Sequence, residues 1–160
     1  MNIAVVFNAQ KNNDLESVRV IIDKLFKLGA QVYMLKDCSE IFKEFNIVNY
    51  NTPEDLVSNS NVVVVIGGDG TIMHIAKIAA EFEKPVLGIN SGQLGFMASI
   101  EKNQLDELSL LMDGNYKISK HMMLEIRHKG DKFFALNDIV INRAPDSQIV
   151  DYKIYKFSES

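Results

Sequence analysis

The chain has 160 residues, 47 % of them hydrophobic and 24 % charged, with 17 basic against 21 acidic side chains and a formal net charge of −4. Those proportions suit a globular protein of ordinary domain size, and without a basic stripe to meet a phosphate backbone they argue against a nucleic-acid partner. The lone Cys38 rules out an internal disulfide and a cysteine-built metal cluster.

The opening MNIAVVFNAQ carries no basic stretch, and its apolar run is too short for a secretory signal. No window approaches the ~18 apolar residues of a membrane span, so a cytoplasmic protein with no membrane partner is expected. Ile3–Phe7 predicts a first strand. Asn13 and Asp14 are capping residues, and after them Leu15, Val18, Ile21, Ile22, Leu25, Phe26 and Leu28 recur at the spacing of one helical face, with Gly29 as a stop. Val32–Leu35 is a second strand candidate. Residues 37–61 carry little pattern, although Pro53-Glu54-Asp55 suits the opening of a short helix.

Val62–Ile66 is the clearest strand, β-branched throughout and apolar on both faces, as a central parallel strand must be. A mostly apolar helix starting near Thr71 and running to Phe82 follows, then a two-sided strand at Val86–Ile89, then a helix marked by Leu105, Leu108, Leu111 and Met112. This alternation predicts an open parallel α/β sheet, Rossmann-like, over residues 1–115, with ligands at the carboxyl ends of its strands. Over residues 116–160 the style changes to short strand-like pieces at Met122–Arg127, Phe133–Leu136, Ile139–Ile141 and Val150–Ile154. They read as the beginning of a β-rich second domain, incomplete at about the ~40-residue size below which domains need outside help.

The segment VVVVIGGDGT, residues 62–71, runs the central strand directly into Gly67, Gly68 and Gly70. Glycines there let backbone N–H groups approach a ligand, and the helix beginning at Thr71 adds partial positive charge, which together make a phosphate cradle. The loop is not a P-loop, since no Gly-Lys-Ser/Thr follows, nor is it G-x-G-x-x-G. Asp69 is the distinctive residue. A carboxylate in an anion site needs a task, such as taking a proton from an attacking hydroxyl or helping to hold a metal. The plainer reading has Asp69 shaping the turn or capping the helix.

A second loop, GINSGQLGF from Gly88 to Phe96, leaves the next strand on the same edge. Asn90 and Ser91 offer hydrogen bonds and Phe96 offers a flat face to a base; taken alone, the loop reads equally as a connection with Leu94 and Phe96 packed in the core. Further on, FALNDIVINR places Asn137 and Asp138 at a break between strand pieces. An amide and a carboxylate side by side can grip the two hydroxyls of a ribose, and an Asn-Asp turn is the alternative.

Together and in this order, GGDGT, GINSGQLGF and LNDIVI resemble the NAD kinase family, and DGNYKISKHMMLEI resembles its entry into a second domain. The resemblance extends from Ile3 to Tyr155. Lipid kinases of the diacylglycerol and sphingoid type share the first segment; the other two are more specific. The resemblance implies ATP-dependent phosphorylation of the 2′-hydroxyl of the adenosine ribose of NAD, with Mg²⁺ or another divalent cation accompanying ATP and no metal-ligating side chain assigned. It implies Asp69 as proton acceptor, and Gly67, Gly68, Gly70, Thr71, His74, Asn90, Phe96, Asn137, Asp138 and Gln148 as binding residues. His74 also reads as a solvated histidine on a polar stripe with Lys77 and Glu81. The family assembles its sites across subunits, so a homo-oligomer is expected. Family members continue through a further, downstream Gly-Asp-Gly segment and a Thr-Pro-Thr-Gly-Ser-Thr-Ala-Tyr-like motif, neither of which follows LNDIVI in these 160 residues. The alternatives are a lipid kinase of the related fold and a non-catalytic nucleotide-binding fragment that needs a complete partner subunit.

Overall fold

The structure is a computed structural model and describes residues 1–9, 15–90, 96–142, 151 and 153–155. In its first compact unit, Met1–Met122, strands β1 (Asn2–Phe7), β2 (Gln31–Leu35), β3 (Val48–Tyr50), β4 (Val62–Ile66), β5 (Val86–Asn90) and β6 (Ile100–Glu101) form one parallel sheet in the order β3-β2-β1-β4-β5-β6. The helices are α1 (Leu15–Lys27), α2 (Lys36–Ser39), α3 (Pro53–Ser58), α4 (Asp69–Glu81) and α5 (Leu108–Met112). This is the doubly wound order, in which the chain winds outward from β1 in one direction and from β4 in the other. The expected open parallel α/β fold is what the chain forms.

Strand periodicity explains the layers, because successive side chains of a strand face opposite sides of the sheet. Val62, Val64 and Ile66 join Ile3, Val5 and Phe7 in a core closed by Val18, Ile21, Ile22 and Leu25 of α1 and by Leu108 and Leu111 of α5. Val63, Val65 and Ala4 face the other way, onto Leu56 and Val57 of α3 and Ile72, Ile75 and Ala79 of α4. All five residues of β4 are buried, and truncating one of them would cost roughly 1–4 kcal/mol through lost transfer energy and the cavity left behind.

Helix α3 starts where Thr52 caps it: its Oγ1 accepts from the Asp55 N–H at 3.1 Å, with Pro53 in the first turn. Helix α4 begins at Asp69, earlier than Thr71, because the extended Gly68 serves as its N-cap and its carbonyl accepts from Ile72 N–H at 3.2 Å. The expected helix around Leu105 is split: residues 102–107 form a 3-10 turn with a non-helical Gln104, and only 108–112 are α-helical. Strands β3 and β6, at the two edges, carried no sequence signal.

The second compact unit, Met123–Ser160, contains an antiparallel hairpin of β7 (Leu124–His128) and β8 (Asp131–Ala135). Lys129 (φ 51°) and Gly130 (φ 94°) are both left-handed, the combination that a two-residue turn needs to match strand twist. The first unit ends at Met122 and the second begins at Met123. Ile139–Ile141, expected as a strand, is not one in the structure. Val150 and Tyr152 of the last expected strand lie outside the described residues, and Asp151, Lys153 and Ile154 have no regular structure.

Candidate functional site

β1 and β4 run side by side in register from Ile3↔Val62 to Phe7↔Ile66, so their carboxyl ends release Asn8 and Gly67 together. The chain winds away from this pair in opposite directions, which opens a crevice between the two loops. A cavity of about 650 Å³ occupies it. Asn8 and Ala9 form its β1 side, Gly67, Gly68, Gly70 and Thr71 its β4 side, and His74 and Ile75 extend it along α4. Leu35 at the end of β2 and Pro53 at the start of α3 complete the wall. A volume of this size suits a small-molecule ligand.

The three glycines of the loop are glycines for different reasons. Gly67 has φ 158°, and a Cβ there would stand 3.1 Å from the Thr71 Oγ1 and 3.3 Å from its Cβ, so the turn itself excludes a side chain. A Cβ on Gly68 or Gly70 would meet nothing within 4 Å. The chain's own packing therefore does not require glycine at 68 or 70, and Gly70 is the second residue of α4, a position alanine would also fill without a clash. What the two glycines preserve is open space beside helix N–H groups that have no intrahelical partner.

Asp69 lies in the first turn of α4. Its carboxylate reaches across to the chain after β5: Oδ2 accepts from the Phe96 N–H at 3.1 Å and Oδ1 from the Met97 N–H at 3.1 Å. The carboxylate is thus engaged on the β5 side of the loop, and Asp69 is not among the residues lining the cavity. The Phe96 ring is fully exposed, contrary to the reading in which it packs into the core. Asn90 ends β5 and is buried. Gly88 lies in the middle of β5, where a Cβ would come within 2.6 Å of Ile72 Cδ1 and 3.1 Å of Ala98 Cα.

The structure thus gathers Gly67, Gly68, Gly70, Thr71 and His74 around one cavity and joins Asp69 to Phe96 beside it. His74 is exposed at the cavity wall. Asn137 and Asp138 belong to the second compact unit, after β8, and both are exposed there. Gln148 and Ser91–Gly95 lie outside the described residues. Asn8, Leu35 and Pro53 were not anticipated; Asn8 was within reach, because it follows a predicted strand on the ligand-bearing edge. Among the described residues, no three His, Cys, Asp or Glu side chains form a group able to hold a metal ion. No described helix is long and apolar enough to cross a membrane.

Residues 3–116 match the family model of the ATP-NAD kinase N-terminal domain. The chain belongs to the ATP-NAD kinase family. An NAD kinase of Clostridium botulinum (strain Kyoto, type A2) is 38 % identical over 149 residues, spanning 90 % of this chain and 51 % of the relative. An NAD kinase of Acetivibrio thermocellus is 32 % identical over 162 residues, spanning 97 % of this chain and 55 % of the relative. The chain therefore spans about half the length of these curated ATP-NAD kinase relatives. Among solved structures, yeast NADH kinase complexed with NADH superposes with a TM-score of 0.70 at 19 % identity, covering 84 % of this chain and 46 % of the other, a likeness of fold. An NAD kinase from Archaeoglobus fulgidus in complex with ATP has a TM-score of 0.50 at 25 % identity, over 71 % of this chain and 38 % of the other.

Proposed function

We propose that the chain carries the glycine-loop portion of an NAD kinase, which moves the γ-phosphoryl group of ATP onto the 2′-hydroxyl of the adenosine ribose of NAD. The hydroxyl oxygen forms the new bond to phosphorus, the bond from phosphorus to the β–γ bridging oxygen breaks, and the products are NADP and ADP. The proton leaves the hydroxyl for Asp69. Two hydrogen bonds already reach its carboxylate, and the carboxylate has about four lone-pair sites, so acceptor capacity remains. The divalent cation arrives on the triphosphate as part of the substrate and neutralises its charge there.

The observation that carries this reading is the cavity at the β1/β4 edge, walled by Gly68 and Gly70, glycines the fold itself does not need. Backbone N–H groups and the α4 N-terminus suit an anionic group there, and His74 and Thr71 add polar side chains. In this reading Asn137 and Asp138 grip the ribose, Phe96 lies beside the base, Asn90 offers hydrogen bonds, and Gln148 is a further contact. A cytoplasmic homo-oligomer completes the reading.

Incubation of the chain with NAD and Mg-ATP, followed by assay for NADP, is the test. NADP formation that Asp69→Asn abolishes supports the proposal. Saturable NAD binding without turnover, read as a rise in thermal stability, favours the binding-only alternative. Phosphorylation of a lipid alcohol and not of NAD overturns the proposal.

A further inference from the structure

We propose that β7 is a dimerisation edge: two copies of this chain pair β7 with β7 antiparallel, centred on Ile126, and join their hairpins into one four-stranded sheet. A two-stranded hairpin by itself is marginal in water, and three or more strands with an apolar face are needed for stability. Among the described residues, β7 and β8 form a sheet of two strands, and no strand pairs with the outer edge of β7. β7 contains neither proline nor glycine to blunt that edge. Leu124, Ile126, Phe133 and Ala135 share one face of the hairpin, on which Leu124 and Phe133 are exposed. The other face is charged: Arg127 Nε donates to Glu125 Oε1 at 2.5 Å, and Lys132 Nζ stands 3.7 Å from Glu125 Oε2.

The sequence of β7 specifies what fits the edge. The turn at Lys129-Gly130 makes His128 and Asp131 the first pair of the ladder, and the direction of hydrogen bonding alternates along a strand. The backbone groups of Glu125 and Arg127 therefore point away from β8, toward the open edge. In a two-fold pairing centred on Ile126, Glu125 of each copy lies opposite Arg127 of the other, and these are the hydrogen-bonded pairs of the new ladder. Ile126 then meets Ile126 of the other copy, and the two apolar faces become continuous. Opposite charges directly across a ladder stabilise it, and like charges destabilise it. Moving the centre by one residue sets Glu125 against Glu125 or Arg127 against Arg127. Moving it by half a residue puts the charged face of one copy beside the apolar face of the other. The register centred on Ile126 satisfies charge and face together. It gives the homo-oligomer of the proposed function a surface, while resting on the hairpin and not on nucleotide chemistry.

Sedimentation velocity of the full 160-residue chain without nucleotide, in a concentration series to about 100 µM, tests the pairing. The unaltered chain is expected to dimerise. Arg127→Glu and Glu125→Arg each set like charges across the ladder and should each weaken the dimer about tenfold or more. Mixed in equal amounts, the two variants should pair with each other as well as the unaltered chain does with itself, because one is acidic and the other basic at both positions. That recovery separates the interface from the hairpin's own stability, since each variant has lost its internal ion pair. Hydrogen-exchange protection of Val63 and Val65 in β4 should be the same in every variant, showing that the fold stands. A chain that stays monomeric throughout the series overturns the proposal. So do variants that dimerise like the unaltered chain, or a mixture that fails to recover. Protection of the Glu125 and Arg127 amides should rise with concentration; full protection in the monomer, the sign that the chain covers this edge itself, also overturns it. Failure of the same chain to form NADP bears on the proposed function alone.

Discussion

A methyl group on Gly88 would stand 2.6 Å from the Cδ1 of Ile72, a separation real Cβ atoms essentially never show, so the Ile72 side chain of α4 packs directly onto the backbone of β5 at this point. The same methyl would press on the backbone of Ala98 at 3.1 Å and the Met97 carbonyl oxygen at 3.3 Å. Ile72 can swing its tip away; the backbone at 97–98 has less room. Gly88→Ala is expected to destabilise the chain by about 1–3 kcal/mol, the usual range for overpacking. Urea unfolding at unchanged slope checks it, and a loss below about 0.5 kcal/mol would mean that the contact yields more easily than its geometry implies.

Gly70 is the opposite case, a glycine in a helix with open space where its side chain would be. Gly70→Ala should raise stability by about 0.4–1 kcal/mol, because alanine loses less backbone entropy on folding. It should at the same time weaken nucleotide binding about tenfold, by filling space meant for a ligand. Thermal unfolding and NAD or ATP titration, run on the same preparation, test both halves; higher stability with unchanged affinity for both nucleotides would remove Gly70 from the site.

His74 lines the cavity yet is exposed. His74→Ala should therefore leave stability within about 0.5 kcal/mol while lowering ATP or NAD affinity about fivefold, the worth of one hydrogen bond. Calorimetric titration measures it. Unchanged affinity would return His74 to the solvated polar stripe it shares with Lys77 and Glu81.

Cys38 lies half-buried against the main core. Burial, and secondarily the neighbouring Asp37 carboxylate, push its thiol above the ordinary value. The unfolded chain then releases the thiol proton at a lower pH than the native chain does. Its contribution to stability is accordingly complete below the ordinary thiol range, about 8.5, and is lost as pH rises through the native value. Urea midpoints at neutral and alkaline pH should fall more steeply for the native chain than for Cys38→Ser. Alkylation of Cys38 should also be slower than that of a free thiol at the same pH.

Elements whose signal is local were legible before the structure. Five consecutive β-branched residues at Val62–Ile66 could only be satisfied by burial on both faces, and β4 is buried throughout. The face formed by Val18, Ile21, Ile22 and Leu25 is buried in α1. Elements that exist because of a neighbour were not legible. Val48-Asn49-Tyr50 is a strand only because the edge of β2 pairs with it, and Ile100-Glu101 only because β5 does. Ile139–Ile141 has the composition of a strand and no strand structure: β-propensity alone does not make a ladder.

At the site, the glycine-rich loop, its carboxylate and the edge of the sheet where a ligand would sit could all be named from the sequence. Short-range chemistry decides these: glycine after a central strand frees backbone N–H groups, and parallel α/β order sends loops to one edge. The partners of Asp69 could not be named, because Phe96 and Met97 lie 27 and 28 residues away and meet it only through the packing of β5 against β4 and α4. Nor could Asn8, Leu35 and Pro53 be joined to Gly68 and His74, since that wall depends on which strands are neighbours. Residue types and their spacing determined what chemistry the loop can offer; strand order determined what faces it, because spatial adjacency in a sheet is a property of the folded chain and not of any stretch of sequence.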